Sequence, residues 1–109
     1  MMMNNIKKVS IVIPAYNEEK SIGKTLDLIN DTIKSIKDYD FEIMVSNNNS
    51  TDNTEKIAKE KGAKVVFAEK KGYGNAYKKG LIKAKGDIII TGDADATYPF
   101  EDIPRFLEL

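Results

Sequence analysis

Four short apolar runs, separated by stretches with helical patterning, constrain the fold of this chain more than any other feature of its sequence. The runs are rich in Val and Ile, and are therefore predicted to form buried strands. They cover residues 9–13, 41–45, 64–68 and 87–91. Strands that alternate with helices form a parallel sheet with helices on both faces. The sequence therefore predicts a single α/β domain over residues 1–109, with three α/β/α layers and a mainly parallel sheet.

The stretches between the strands carry helical patterns. The first is an apolar stripe at steps of three and four residues, formed by Ile22, Leu26, Ile29, Ile33 and Ile36. Asp52 and Glu55 have the spacing of a capping box, which predicts a second helix that ends near residue 62. A third helix is predicted over residues 75–85, after a flexible glycine loop, and a fourth begins near the C-terminus. Gly80 lies inside the third helix, at a cost of about 1 kcal/mol relative to Ala, so we expect it to pack closely against the sheet.

The amino-acid composition restricts the chemistry that the chain can carry. There is no Cys, which excludes a disulfide framework, a zinc–thiolate cluster and a cysteine nucleophile. There is no His, which excludes a Ser-His-Asp triad and a histidine metal ligand. A metal site would therefore consist of oxygen ligands, which favour hard ions such as Mg²⁺, Mn²⁺ or Ca²⁺.

The sequence shows no sign of a membrane span or a secretion signal. No apolar run approaches the ~18 residues that a spanning helix needs, and the N-terminus lacks the apolar stretch of a signal peptide. We therefore expect a cytoplasmic protein.

A formal net charge of zero conceals two oppositely charged regions. Residues 56–85 contain ten Lys and two Glu, for a charge of +8, and the remainder contains seven basic and fifteen acidic residues, for −8. The basic region can be a set of solvated helix faces, or it can attract an anionic ligand. Because it has few aromatic residues on which bases could stack, we expect no nucleic acid partner.

Polar residues follow each of the predicted strands. They lie at the carboxyl ends, where open α/β sheets bind their ligands, and cover residues 14–19, 46–52, 70–74 and 93–95. Asn17 and Glu18 suit either the capping of a helix N-terminus or hydrogen bonding to a sugar or base. The concentration of polar groups at one edge of the sheet predicts a ligand site there.

Asp93 and Asp95 are the candidate metal ligands. Residues i and i+2 of an extended segment point to the same side, about 7 Å apart at ~3.3 Å per residue. Two carboxylates so placed repel each other unless a cation or hydrogen-bond donors lie between them. A divalent metal would also leave coordination positions for phosphate oxygens, whereas a solvated acidic turn is the alternative interpretation.

Gly72 and Gly74 precede the third predicted helix and are candidates for anion binding. Glycine allows close approach to the backbone, and a helix N-terminus offers free N–H groups. Lys71 adds a positive charge beside them. An ordinary glycine-rich turn is the alternative, since neither G-x-G-x-x-G nor the P-loop pattern is present.

Together, four motifs in register over nearly the whole chain resemble family-two, GT-A-type glycosyltransferases. The motifs are VIPAYNEE (12–19), NNNSTDNT (47–54), KGYGNA (71–76), and AKGD (84–87) leading to DAD (93–95). The residues that follow Asp95 look most like the polyprenyl-phosphate branch, which includes the dolichol-phosphate mannose and glucose synthases. The resemblance implies the Rossmann-like, nucleotide-binding half of a GT-A fold and a nucleoside-diphosphate-sugar donor.

The resemblance also implies roles for individual residues. The nucleotide-sugar side would comprise Pro14, Ala15, Tyr16, Asn17, Glu18, Asn47, Lys71, Gly72, Gly74 and Asp93. Within this set Asn47 stands where the family usually has an Asp that contacts the base, and Lys71 would approach the diphosphate. Asp93 and Asp95 would be the catalytic pair that holds Mg²⁺ or Mn²⁺. Thr97 stands where the dolichol-phosphate synthases can have a metal-binding Gln.

By the same resemblance the reaction is an inverting, metal-dependent transfer. An acceptor oxygen attacks the anomeric carbon of the sugar, and the metal stabilises the departing nucleoside diphosphate. A polyprenyl phosphate at the membrane surface is the acceptor that the closest branch suggests.

The chain matches about the first half of a usual catalytic domain, so we expect a truncated, donor-binding half. Membrane association would then come from the missing regions or a partner, and the chain would pair with a partner chain or form a homodimer. The alternatives are a non-catalytic nucleotide-sugar-binding module, a half-enzyme that needs a partner chain, and a flavodoxin-like signalling domain phosphorylated at its acidic strand ends.

Overall fold

Four parallel strands form the centre of the structure, a computed structural model that describes residues 7–95 and 99–108. The strands are β1 (Lys7–Ala15), β2 (Tyr39–Asn47), β3 (Lys64–Phe67) and β4 (Ile88–Thr91). They lie in the order β3-β2-β1-β4, and each adjacent pair is parallel. The predicted α/β class and parallel sheet are confirmed.

Helices cover both faces of the sheet. They are α1 (Ile22–Lys34), α2 (Thr54–Glu60), α3 (Tyr73–Lys83) and, after a 3₁₀ turn at Phe100–Asp102, α4 (Ile103–Leu107). Side chains alternate across a strand, and on β1 Ile11 and Ile13 pack with α1 whereas Val12 lies under α3. The predicted three layers are therefore confirmed, with α3 alone on its face among the described helices.

The largest apolar cluster lies between β1 and α1. The apolar stripe of α1 is fully buried at Ile22, Leu26 and Ile29, and these pack with the alternate residues Val9, Ile11, Ile13 and Ala15 of β1. Each buried aliphatic side chain of this kind contributes about 1.5–3 kcal/mol. Ile33 and Ile36 lie at the margin of the cluster, and Ile36 follows the end of the helix.

Gly80 brings α3 into direct contact with β1, as the sequence predicts. A Cβ atom at this position would overlap the Cγ1 atom of Val12. Gly86 fits closely in the same way, because a Cβ there would lie 2.6 Å from the backbone nitrogen of Ser10. The absence of a side chain at these two glycines sets the position of α3 and of the turn into β4.

Several boundaries predicted from the sequence are wrong. β1 continues through Pro14 to Ala15, which is tolerated because β4 pairs with β1 only as far as Val12. The glycine segment is not a flexible loop, because α3 begins at Tyr73 and Gly74 lies in its first turn. The same helix ends at Lys83, two residues before the predicted end.

The predicted capping box at the start of α2 is also absent. The N-cap residue is Asn53, and no side chain caps it in the predicted manner. Instead, the N–H group of Asn53 donates to Oε1 of Glu19 at 3.0 Å. The Asp52 carboxylate accepts hydrogen bonds from Thr54 and from the N–H group of Glu19. The local bond from the Thr54 N–H group to Asp52 is therefore present, whereas the N–H group of the N-cap residue binds Glu19 of the β1–α1 loop.

Among the described helices none has the length and apolarity needed to cross a membrane.

Candidate functional site

The candidate site lies where the carboxyl ends of β1 and β4 separate. The helix that follows β1 lies on one face of the sheet and the helix that precedes β4 lies on the other. This change of face creates the crevice in which open α/β sheets bind ligands. The loops that follow all four described strands lead to this edge.

A cavity of about 250 Å³ opens at this edge, between the β1–α1 loop and the start of α3. It is lined by Tyr16, Asn48, Lys71, Gly72 and Tyr73. The two tyrosine side chains are half exposed, at 52% and 54%. The structure thus brings together three of the predicted site residues, along with Asn48 and Tyr73, to which the sequence assigned no role.

Pro14 and Ala15 do not line the cavity and are buried in the last residues of β1, directly before Tyr16. The carbonyl group of Ala15 accepts a hydrogen bond from the Asn48 N–H group at 2.8 Å. Ala15 therefore connects the end of β1 to a residue of the cavity wall.

Asn17 connects the first two loops of the site. It adopts a left-handed backbone conformation, with φ of 51°. Its Oδ1 atom accepts a hydrogen bond from the Thr51 N–H group at 2.8 Å, and its own N–H group donates to Oγ of Ser50 at 2.9 Å. Next to it, the Glu18 N–H group donates to Oγ1 of Thr54 at 2.8 Å. The main interaction of Asn17 is therefore with the neighbouring loop.

Asn47 is buried at the end of β2 and does not line the cavity. Its Oδ1 atom accepts a hydrogen bond from the Ser50 N–H group, three residues on, at 3.2 Å. The next residue, Asn48, is the one that reaches the cavity wall. The family resemblance implies a contact with the base for Asn47, whereas it is Asn48 that the structure brings to the cavity wall.

Asp93 and Asp95 are exposed on either side of the buried Ala94. The Ala94 carbonyl accepts hydrogen bonds from Oγ of Ser21 at 2.8 Å and from Oγ1 of Thr25 at 3.2 Å. Ser21 is the N-cap residue of α1, yet its hydroxyl group makes no capping bond. Helix α1 thus fixes the middle of the Asp-Ala-Asp segment. Thr97 lies outside the described residues.

Negative charge from three loops accumulates at this edge of the sheet. Partial burial and the nearby carboxylates of Asp95, Asp52 and Asp93 raise the pKa of Glu18 above its ordinary value. Burial, Glu18, Asp93 and Asp95 likewise raise the pKa of the Tyr73 hydroxyl. The first residue of α3 therefore lies near the acidic segment that follows β4.

A bound cation would relieve this repulsion, because an opposite charge favours the ionised carboxylates. Within residues 7–95 and 99–108, no three acidic side chains form a ready-made metal site. Protein carboxylates would therefore supply part of a coordination sphere, which phosphate oxygens and water could complete.

Comparison with known proteins gives a consistent result. The model of the family described as "Glycosyl transferase family 2" matches residues 10–109. The low-salt glycan biosynthesis hexosyltransferase Agl6 of Haloferax volcanii is 39% identical over 101 residues, which cover 93% of this chain and 24% of that protein. A dolichyl-phosphate hexose transferase of the same organism is 37% identical over 101 residues, which cover 93% of this chain and 42% of that protein.

Solved structures show the same fold. Glucosyl-3-phosphoglycerate synthase from Mycobacterium tuberculosis, in complex with Mn²⁺, UDP and glucosyl-3-phosphoglycerate, matches with a TM-score of 0.77 and 32% identity. The match covers 93% of this chain and 38% of that chain. This chain therefore spans less than half the length of each of these relatives, and it has the fold of the nucleotide-binding part of a GT-A glycosyltransferase. By sequence and by fold, it belongs to glycosyl transferase family 2.

Proposed function

We propose that this chain is the donor-binding half of a glycosyltransferase, which binds a nucleoside-diphosphate sugar together with a divalent cation. The observation that carries the proposal is that positively charged groups, which suit a diphosphate, lie close to carboxylates, which suit a cation. A cavity with a lysine and a helix N-terminus lies beside carboxylates whose mutual repulsion a cation would relieve. A metal–diphosphate complex has the charges that this arrangement complements.

The diphosphate would lie at the start of α3. The N-terminus of an α-helix carries a partial positive charge and N–H groups without intrahelical partners. Lys71 lies immediately before it and lines the cavity. Gly74 in the first turn has no side chain that could hinder the approach of a phosphate oxygen to the backbone.

The nucleoside would occupy the cavity between Tyr16 and Tyr73, next to the end of β1 that Pro14 and Ala15 form. Half-exposed aromatic rings offer a flat apolar surface to a base. Glu18 would contact the ribose, as the family resemblance implies. We assign Asn17 and Asn47 to the support of these loops, since each uses its Oδ1 atom within the protein.

Asp93 and Asp95 would hold Mg²⁺ or Mn²⁺, and the chemistry of their oxygen ligands suits either ion. A divalent cation stabilises the charge that develops on a leaving diphosphate. The chain itself contributes the orientation of these two carboxylates, through the bonds from α1 to the Ala94 carbonyl. Lys71 and the α3 N-terminus hold the diphosphate so that it leaves along a fixed direction.

The acceptor that we favour is a polyprenyl phosphate, because one relative is named a dolichyl-phosphate hexose transferase. A phosphate acceptor is already anionic and needs no general base to attack the anomeric carbon. The acceptor site, the inversion of that carbon and any contact with the cytoplasmic membrane surface would then depend on a longer polypeptide, a partner chain or a homodimer.

Calorimetry with UDP and GDP, each with and without Mn²⁺, tests the proposed site. We expect one of the nucleotides to bind in the presence of Mn²⁺, and Asp95→Asn to weaken that binding by about tenfold or more, as expected for a lost charged ligand. Asp38→Asn is the control, because Asp38 is exposed in the loop before β2 at the opposite end of the sheet. If neither nucleotide binds at millimolar concentration, the proposed function is wrong.

A non-catalytic nucleotide-sugar-binding module is the second candidate. Incubation with a radiolabelled nucleotide sugar separates the two functions, since release or transfer of the sugar requires an enzyme and binding alone does not.

A further inference from the structure

The β3–α3 loop, residues 68–72, owes its shape to side chains from the neighbouring β2–α2 loop. At its start the Ala68 N–H group donates to the carbonyl group of Asn47 at 2.9 Å, which extends the pairing of β2 and β3 by one bond. Beyond that point the loop turns away from the sheet. It then leads through Lys71 to Gly72, whose φ of 112° is in the left-handed region.

Asn48 uses both ends of its side-chain amide to hold this loop. Its Oδ1 atom accepts a hydrogen bond from the Gly72 N–H group at 2.8 Å. Its Nδ2 group donates to the carbonyl group of Lys70 at 2.8 Å and to that of Ala68 at 3.3 Å. Because one end receives an N–H group and the other faces two carbonyl groups, an Asn side chain satisfies all three bonds and an Asp side chain cannot.

Asn48 is itself firmly attached to the sheet. Its side chain lines the cavity although the residue is only 6% exposed. Its backbone N–H group donates to the carbonyl group of Ala15 at 2.8 Å, at the carboxyl end of β1. The amide therefore connects the central strands of the sheet to the two residues that lie on either side of Lys71.

We propose that Asn48 is the positioning residue for the diphosphate, a role that rests on the proposed function of this site. It acts through Lys71 and the start of α3, whose positions it fixes, and does not itself contact the phosphates. A loop held in its bound conformation before the ligand arrives binds more tightly, because less conformational entropy is lost on binding.

The same geometry identifies which backbone groups receive the diphosphate. The Gly72 N–H group is occupied by Asn48, and the Ala76 N–H group donates to the Gly72 carbonyl at 3.1 Å as the first bond of the helix. The N–H groups between them belong to Tyr73, Gly74 and Asn75, which form the first turn of α3. These three are the donors that α3 presents to an anion.

Asn48→Asp tests the proposal with a side chain of the same size. The new carboxylate still accepts from Gly72, but it faces the Lys70 and Ala68 carbonyl oxygens without a proton to share. We expect the affinity for UDP or GDP with Mn²⁺, and for inorganic pyrophosphate, to fall about tenfold. The affinity for uridine or guanosine should fall less, because a nucleoside carries no phosphate and because Tyr16, on the other wall of the cavity, lies outside the repositioned loop.

Asn49→Gly is the matched control. Asn49 donates through Nδ2 to Ala68 and Glu69, in the first half of the same loop, and its φ of 66° is one that glycine adopts without strain. We expect this variant to bind UDP or GDP within about threefold of the unmodified chain. An equal loss in both variants would mean that the loop needs support in general and that Asn48 has no particular role.

The binding results for the unmodified chain and for Asn48→Asp distinguish a failure of the proposed function from a failure of the role of Asn48. If the unmodified chain binds neither nucleotide, both are overturned. If it binds one and Asn48→Asp binds it equally well, or loses nucleoside and diphosphate affinity to the same extent, the proposed function stands and the role of Asn48 is refuted.

A measurement on the unmodified chain applies even if Asn48→Asp does not fold. Amide chemical shifts followed during a pyrophosphate titration should change most at Tyr73, Gly74 and Asn75. The Gly72 amide should remain protected from hydrogen exchange throughout. The largest shift at Gly72, or its rapid exchange, would overturn the proposal.

Discussion

At the scale of single residues, a buried carboxylate ties three segments together on the face of the sheet that α3 covers. Glu42 on β2 is 5% exposed, and its Oε2 atom accepts hydrogen bonds from the Ser10 hydroxyl and, at 2.8 Å, from the Lys85 N–H group. Its Oε1 atom accepts from Nζ of Lys64 at 3.2 Å. Burial by itself would raise the pKa of Glu42, but these bonds and the charge of Lys8 lower it from 4.5 to about 2.

This shift predicts that the protein loses stability in acid through Glu42. A carboxyl group with a lower pKa in the folded state stabilises the fold above its unfolded pKa, and that contribution is lost as the pH falls from about 4.5 to about 2. The shift corresponds to about 3 kcal/mol. Glu42→Gln should therefore be less stable than the unmodified chain at pH 7, and the difference should shrink toward pH 2.

Urea unfolding of both proteins between pH 7 and pH 2 measures this difference. Glu101→Gln, at an exposed position, is the control and should follow the unmodified chain. A constant gap between Glu42→Gln and the unmodified chain over the whole range would show that the Glu42 charge is not the source of the pH dependence.

The sequence could not reveal the roles of Glu42 or Asn48. Glu42 lies near the start of the apolar run that forms β2, where a charged side chain is expected to face the solvent. Its hydrogen-bond partners lie 22 to 43 residues away in the sequence. Asn48 is one of three consecutive Asn residues with equal turn propensity, and only the paired strands decide which of them faces the β3–α3 loop. In contrast, a glycine inside a helix lowers helix propensity, which can be read from the sequence alone. The predicted close packing of Gly80 against the sheet is therefore correct.

At the scale of secondary structure, the packing of α3 on β1 depends on Gly80. Ala at this position gains up to about 1 kcal/mol in helix propensity. It also introduces a Cβ atom that overlaps Cγ1 of Val12, and overpacking of this kind costs about 1–3 kcal/mol. We therefore expect Gly80→Ala to lower the free energy of unfolding.

Gly74→Ala in the same helix is the matched control. A Cβ atom there would have no neighbour within 4 Å, so the gain in propensity is not opposed. This variant should be more stable by about 0.5–1 kcal/mol. Thermal unfolding of the two variants compares them directly, and equal melting temperatures would contradict the close packing of α3.

The four strands and the three longer helices could be predicted from local patterns, because the strands are short β-branched apolar runs and the stretches between them carry helix periodicity or helix end signals. The start of α3 could not, since Gly72, Tyr73 and Gly74 suggest a loop by propensity, and the helix begins there because Asn48 holds Gly72 in place. The start of α2 differed for a similar reason, because the N–H group of its N-cap residue, Asn53, binds Glu19 of the β1–α1 loop. Tertiary contacts override propensity at both helix starts.

At the scale of the whole molecule, the basic region is divided between the two faces of the sheet. Lys59 and Lys61 form ion pairs on the α2 face, whereas Lys79 pairs with Glu69 beside α3. The charge of +8 in this region is therefore not one continuous patch. Lys71 is the basic residue that lines the cavity of the candidate site.

The Asp-Ala-Asp segment after β4 depends on α1, about 70 residues earlier in the chain. The carbonyl group of Ala94, a residue that is 1% exposed, receives both the Ser21 and the Thr25 hydroxyl groups. The two donors satisfy the same acceptor, so removal of either one leaves the other in place. Their contributions to stability should therefore be strongly coupled.

A double-mutant cycle with Ser21→Ala and Thr25→Val measures that coupling. Each single change should cost less than about 1 kcal/mol, because the carbonyl keeps one hydrogen bond. The double change removes both of the donors that the described residues offer to this buried carbonyl, which should cost about 1–3 kcal/mol beyond the sum of the single effects. Urea unfolding measures the stability of each variant, and calorimetry with UDP or GDP and Mn²⁺ measures its affinity. The affinity should fall most in the double variant, because Asp93 and Asp95 then lose the hydrogen bonds that fix the Ala94 carbonyl between them. Additive losses of stability with unchanged affinity would show that α1 does not position these carboxylates.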